Sequence, residues 1–304
     1  MTPEAEFGRT DLSTASATGP EQSRGPFEVD PTLAGLSLGR VLHAEWLKLL
    51  SLRSTWWLSG TAVGLCGVFA LLSGGSVSWL AGARDRAVAE GATQRAGGYE
   101  LEVVQTGMFG ILVAVILMGA LGVLSITGEQ STGALRSSLT AVPSRRLLWS
   151  GKAIVLGAWS AGVAALCAAA VHLVLLPFAV AHDLVPSLVD PEVLHVYGAG
   201  ILSIMAAALI GFGIGSMLRS SAGGIVVFSV VTFVLPLLTV LFAAAALGET
   251  VVEELWGFQV VNLILVLRDP GATVPSSGAA AVGLLLWTAA ALLPGWLLFR
   301  MRDV

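Results

Sequence analysis

Charged residues are scarce in this chain: aspartate, glutamate, lysine and arginine supply 12% of its 304 residues, about half their share in ordinary soluble domains. Cysteine is scarcer still, with Cys66 and Cys167 alone. They form no CxxC pair and no Cys/His cluster at ligand spacing, so neither a disulfide framework nor a cysteine-based metal site can be read. His43, His172, His182 and His195 fall in different predicted elements, and no Ser/His/Asp or Cys/His catalytic arrangement follows from them. A phosphate-binding loop is missing too. The nearest approach, Ser150-Gly151-Lys152-Ala153, lacks the hydroxyl after the lysine and the upstream glycine. No catalytic, cofactor-binding or metal-binding residue is assigned, and no nucleic-acid partner is expected.

Apolar sequence fills the space that charge leaves. Hydrophobic residues make up 55% of the chain and gather in runs of about 20 or more, the length a helix needs to cross a bilayer core. The fold class read from this is an all-α polytopic membrane protein with six transmembrane helices. The spans are expected over roughly 55–74, 104–127, 147–180, 196–218, 222–247 and 279–299. Pro177, Pro236 and Pro294 fall inside spans and are expected to kink or locally open them. His172 is the one fully intramembrane ionisable candidate, and a neutral imidazole hydrogen-bonded to a neighbouring helix is the favoured reading. Gly211, Gly213 and Gly215 are read as a surface for close helix packing.

The lysines and arginines at 40, 48, 53, 136, 145, 146, 152, 219, 300 and 302 all fall on one side if the amino terminus is inside. The opposite side holds most of the acids outside the tail. The positive-inside rule then predicts a multi-pass protein of the plasma membrane with both termini cytoplasmic. Residues 1–36, rich in Ser, Thr, Gly, Pro and acids, have too little apolar surface to offset the entropy of ordering and read as a disordered cytoplasmic tail. The membrane domain is expected over 37–304.

Between the tail and the first span, Ser37 to Ser54 carries an apolar stripe of Leu38, Val41, Leu42, Trp46, Leu49 and Leu50 beside Arg40, His43, Lys48 and Arg53. That pattern describes a helix lying in the membrane interface. Between spans two and three, Gly128 to Lys152 carries Glu129, Arg136, Arg145, Arg146 and Lys152. Ser131 or Thr132 can cap a short helix, whose Leu135, Leu139 and Val142 share one face. Pro143 should end it, and Ser144 can cap the next. An ordinary basic loop obeying the positive-inside rule would also accommodate this stretch. The link between spans four and five, 219–224, is a tight hairpin. The segment from Gly248 to Gly278 is too long for a minimal link and too apolar to be freely solvated. One or two short helices, capping the bundle or dipping into the outer leaflet, would accommodate it.

Gly128, Glu129, Thr132, Gly133, Leu135, Arg136, Leu139, Thr140, Pro143, Arg145 and Lys152, in that order between two spans, resemble the first cytoplasmic loop of the membrane subunits of type-2 ABC exporters (the ABC-2 permease family). The run His43-Ala44-Glu45-Trp46-Leu47-Lys48-Leu49 is similar to the opening of their elbow helix, and GFGIGSMLRS to the end of their fourth span. The resemblance covers roughly Val41 to the carboxyl end. It implies an elbow helix that includes His43, Glu45, Trp46 and Lys48, a coupling helix across 129–146, and a re-entrant segment before the last span. It further implies a homodimer, or a pair with a related permease, in contact with membrane lipid. The chain would bind no cofactor itself; ATP would be consumed by a separate cytoplasmic ABC ATPase subunit. Leu135, Arg136 and Leu139 would dock in that subunit, with Glu129, Arg145 and Arg146 at its rim. Met108, Phe109, Phe228 and Phe233 are candidates for the wall of a substrate path, although packing or lipid-facing roles suit the same side chains. The spans carry no deep Asp, Glu, Lys or Arg, which disfavours an ion-coupled carrier. A non-transporting immunity, sensor or scaffold subunit is the alternative.

Overall fold

The computed structural model describes residues 37–91, 98–141, 144–239, 241, 259–272 and 275–301, leaving aside the side chains of 136, 137, 139 and 141. The expected tail over 1–36, the helix stop at Val142–Pro143, the end of span five and the outer segment up to 258 lie outside these residues.

Helix α1 (Leu38–Ser51) is separated from α2 (Arg53–Ala89) by Leu52, whose extended backbone (φ −82°, ψ 121°) turns the chain from one axis to the next. The first span was expected to stop at 74, yet α2 runs on to Ala89. Gly74 does not break it. A methyl group there would lie 2.8 Å from the ring of Phe178, so this glycine admits an aromatic ring from α6 (Arg145–Ala181). The far end of α2 is also pinned: Ser78 Oγ and His182 Nε2 are 2.9 Å apart, and Arg84 Nη1 donates to the Asp183 carbonyl at 2.9 Å. At 37 residues each, α2 and α6 are about 55 Å long, well beyond the roughly 30 Å of bilayer hydrocarbon.

The second span is built from α3 (Gly98–Gly107), one 3-10 turn (Met108–Gly110) and α4 (Ile111–Thr132). Gly133, at φ 73°, ends α4 in the left-handed conformation, which glycine adopts without steric cost. Ser131 and Thr132 therefore close one helix and do not cap the next; their hydroxyls donate back to the Gly128 carbonyl at 3.0 and 2.9 Å. The short helix α5 (Ala134–Ala141) follows. Ser144 then caps α6 as expected, its Oγ accepting from the Leu147 amide at 3.2 Å. Pro177 lies inside α6 without ending it.

Helix α7 (Pro191–Leu218) is capped by Asp190, which accepts from the Glu192 amide. Arg219, at φ 54°, makes the tight turn into α8 (Ser221–Ser229). A π-helical stretch, Val230–Val234, then leads into α9 (Leu235–Leu238). The widened turn precedes Pro236, which has no amide to donate and whose ring crowds the carbonyl one turn back. Helix α10 (Val260–Leu267) buries Val260, Leu263, Ile264 and Leu267. Helix α11 (Ser277–Met301) closes the described chain. Among the described residues six helices are long and apolar enough to span a membrane, and there is no β-strand.

The core is organised around α7. A methyl at Gly211 would sit 2.1 Å from the Gly119 carbonyl oxygen, and one at Gly122 would sit 2.0 Å from that of Ala208. On another face of α7, a methyl at Gly213 would lie 2.4 Å from the Ala291 carbonyl oxygen, and Gly295 of α11 abuts Gly213 in return. Lipid tails are as apolar as leucine, so helices in a bilayer associate through such close backbone approach. The span-four glycines serve as the packing surface anticipated from the sequence.

Candidate coupling site

Two acids and two bases converge where α1, α4, α5 and α6 meet. The face that α1 buries is Val41, Glu45 and Leu49, an i, i+4, i+8 row on one side of a helix. Glu45 is thus the carboxylate in the middle of an apolar stripe, with 4% of its surface exposed. It is held there by Lys152 from the second turn of α6, whose Nζ donates to Glu45 Oε2 and to Glu129 Oε1, both at 2.5 Å. Gly151 lets α1 come this close to α6: a methyl there would lie 2.9 Å from Val41 Cγ1. Lys48, one turn along α1, donates to Glu45 Oε1 at 2.7 Å and stands 3.6 Å from Glu129 Oε1. It also donates to Ser138 Oγ of α5 at 3.0 Å.

The set is charge-balanced. Each lysine reaches both carboxylates, so neither buried acid stands without a counter-charge. A small cavity of about 20 Å³ lies among Glu45, Lys48, Ser125, Glu129 and Lys152, and Glu129 Oε2 is buried with no partner among the described residues. Chemically the arrangement is a strap: it joins α1, the end of α4, α5 and the start of α6 through charge-assisted hydrogen bonds.

The residues named from the sequence are divided by this geometry. Glu129, expected at a partner's rim, is turned inward onto Lys152, because a carboxylate beside a buried ammonium is held by it. Lys152, read as an interfacial charge opening span three, is buried at 7% exposure. Leu135, expected to dock outward, is buried at 2%, since the turn at Gly133 directs it back onto the bundle. Arg145 Nη1 lies 3.4 Å from the carbonyls of Phe299 and Arg300, a cation at the carbonyl end of α11. Arg146 is exposed. Arg136 and Leu139 belong to α5, but their side chains lie outside the described residues. On α1, Lys48 and Glu45 join the cluster, while Trp46 packs edge-on against Trp159 with ring centroids 5.5 Å apart and His43 is exposed.

The four substrate-path candidates are not gathered together. Phe228 is fully buried, its ring against Gly119, and Met108 is buried against Gly200. Phe233 packs against the same core, whereas Phe109 is exposed. His172 has the partner expected of it: its Nδ1 lies 2.8 Å from Tyr197 Oη on α7. At the opposite end of the bundle, His195 Nε2 donates to the Leu267 carbonyl at 2.8 Å. Arg268 donates to the Gln105 carbonyl, and burial lowers its pKa to about 10. Among the described residues no group of His, Cys, Asp and Glu is arranged to hold a metal ion. No protein-family model matches the chain, and no curated protein matches it.

Proposed function

We propose that the chain is the permease subunit of an ATP-driven exporter: a six-span membrane protein, cytoplasmic at both ends, that pairs with a second permease and is driven by a separate cytoplasmic ATPase. The observation that carries the reading is the bond between Ser138 and Lys48, through which α5 is tied to the Glu45, Glu129 and Lys152 network. A short helix at the mouth of two spans is useful to a soluble motor only if its displacement is passed on. Here a push on α5 reaches α1 through Lys48, α4 through Glu129 and α6 through Lys152. Paired charges in a poorly hydrated setting resist separation, so the elements would move together. Contact with the motor falls to exposed positions around α5, including Thr140 and Arg146; Leu135 supports the helix from beneath.

The test is purification from native membranes through a cytoplasmic tag, with nucleotide hydrolysis of the eluate as the readout. The wild type is expected to carry an ATP-hydrolysing subunit, and Thr140→Arg/Arg146→Glu to lose it while keeping the wild-type helical content. If no hydrolysing subunit accompanies the wild type under conditions that preserve other membrane complexes, the exporter reading falls and the non-transporting class takes its place.

A further inference from the structure

Alongside the strap, α1, α2 and α6 enclose an apolar groove of about 610 Å³ that opens sideways from the bundle. Its depth comes from missing side chains. Gly60, Gly64 and Gly162 line it, and a methyl added at any of them would meet no atom within 4 Å. They contrast with Gly122, Gly211 and Gly213, each of which admits a neighbouring backbone. A glycine inside a helix is less favourable than alanine, and at these three positions no neighbouring helix among the described residues uses the space.

The walls are aromatic, and the Trp159 and Trp56 indoles are already satisfied. Trp46 and Trp56 each pack edge-on against Trp159, with centroids 5.5 Å apart. The Trp159 indole donates to Ser59 Oγ at 3.0 Å and the Trp56 indole to the Leu50 carbonyl at 2.9 Å. The groove therefore presents chiefly ring faces and aliphatic carbon to its occupant. From Trp56 to Gly64 it follows α2 for about 12 Å, close to the roughly 15 Å depth of one leaflet's hydrocarbon. Its α1 end carries positive charge. Arg53 is exposed at the start of α2, in the i, i+3, i+7, i+11 register with Trp56, Gly60 and Gly64 that places it on the same face. On the other side of Trp46 the surface continues into a second depression lined by His43.

We propose that this groove binds one acyl chain of an anionic phospholipid, with the phosphate held at Arg53. One-leaflet depth, an apolar lining and a basic mouth fit a lipid tail and headgroup together. A second helix laid on Gly60 and Gly64 would have to clear the raised rims of Trp46 and Trp56. The inference needs the chain to lie in a membrane but does not need the exporter reading, so it can fail or stand separately.

The probe is an equal mixture of dioleoylphosphatidylglycerol and dioleoylphosphatidylcholine in nanodiscs containing the full chain, read by native mass spectrometry after release. The wild type is expected to retain phosphatidylglycerol in about five-fold excess, the factor one arginine contributes at an anionic surface. Gly60→Leu/Gly64→Leu should lose the retained lipid. Arg53→Gln should keep lipid but bring the two headgroups to parity. Gly162→Leu fills the groove from α6 and decides the matter if the double variant is not recovered folded. Equal retention of both lipids by the wild type, or undiminished retention by the filled-groove variants, overturns the proposal. So does a filled-groove variant that keeps its lipid and turns from dimer to monomer, which would assign the face to a second copy of the chain.

Discussion

Replacing Lys152 with methionine is the sharpest perturbation the strap allows. Methionine approximates the length of the aliphatic stem, so the cavity left is small and the lost quantity is charge. Lys152 is the only group bonded to both Glu45 Oε2 and Glu129 Oε1 at 2.5 Å among the described residues. Without it, two carboxylates with side chains 5% and 18% exposed face each other across a site with room for about one water, far short of a hydration shell. Lys48 remains, 2.7 Å from Glu45, but its side chain is 41% exposed and its attraction is partly screened by solvent. Removing one partner of a buried pair costs about 3–5 kcal/mol. At roughly 2 °C per kcal/mol for a chain of this size, the apparent melting temperature should fall by about 6–10 °C. Glu45→Gln leaves the Lys152–Glu129 pair and should cost about 1.5–3 kcal/mol, the worth of a hydrogen bond to a charged group. The two changes should not add: Glu45→Gln/Lys152→Met removes one charge of each sign and should melt above Lys152→Met alone. The assay is thermal unfolding in one fixed lipid nanodisc, followed by helical circular dichroism at matched scan rates. A Lys152→Met melting point within the error of wild type would refute the desolvated strap, as would a double variant whose loss equals the sum of the singles.

Two further outcomes test the rest of the architecture. Gly122→Leu drives a side chain into the Ala208 carbonyl, which a methyl would already approach to 2.0 Å; a backbone cannot swing aside, so a loss of about 3 kcal/mol or more is expected, measured as reduced folded yield and melting point. Gly198→Ala, with open space around it, should be neutral or slightly stabilising in the same assay, and equal losses for the pair would refute the α4–α7 contact. For orientation, Ala134→Cys and Val189→Cys place exposed thiols at opposite ends of the bundle, while Cys66 and Cys167 are buried. In intact cells an impermeant maleimide should label only the thiol at 189, and labelling only at 134 would reverse the assigned topology.

Much of the fold could be read from the sequence because a bilayer leaves few choices. A run of apolar residues that length has to be helical when no water can satisfy its backbone, and the described residues contain six such helices. What the sequence could not give was where each helix stops. Gly74 and Gly75 look like the end of a span, but Gly74 admits the Phe178 ring, and Arg84 holds the end of the same helix against Asp183. Both contacts involve residues about a hundred positions away, beyond any local window. Ser131 and Thr132 failed as caps for a local reason. The glycine after them provides a left-handed C-terminal stop, and a hydroxyl in the last turn of a helix donates backward to a carbonyl as readily as it accepts from an amide ahead.

The site was half legible for a different reason. Glu129 and Lys152 were singled out as charges flanking a loop, and loop charges are ordinarily solvated. The signal that they are not lies in Glu45. It sits four residues after Val41 and four before Leu49, on a row that is otherwise apolar and buried. A carboxylate there demands a cation from outside its own helix, since Lys48 at i+3 satisfies only one of its oxygens. Of the cations that the positive-inside reading groups with it, Lys152 lies beyond the first turn of an apolar helix, where it too needs a counter-charge. Glu45 and Lys152 each imply the other, and Glu129, at the end of the preceding span, completes the pair. A buried charge on an otherwise apolar helical row is therefore informative even with no knowledge of the fold. Its partner must come from whichever span that helix lies against, and here that identifies the α1–α6 contact from which the strap is built.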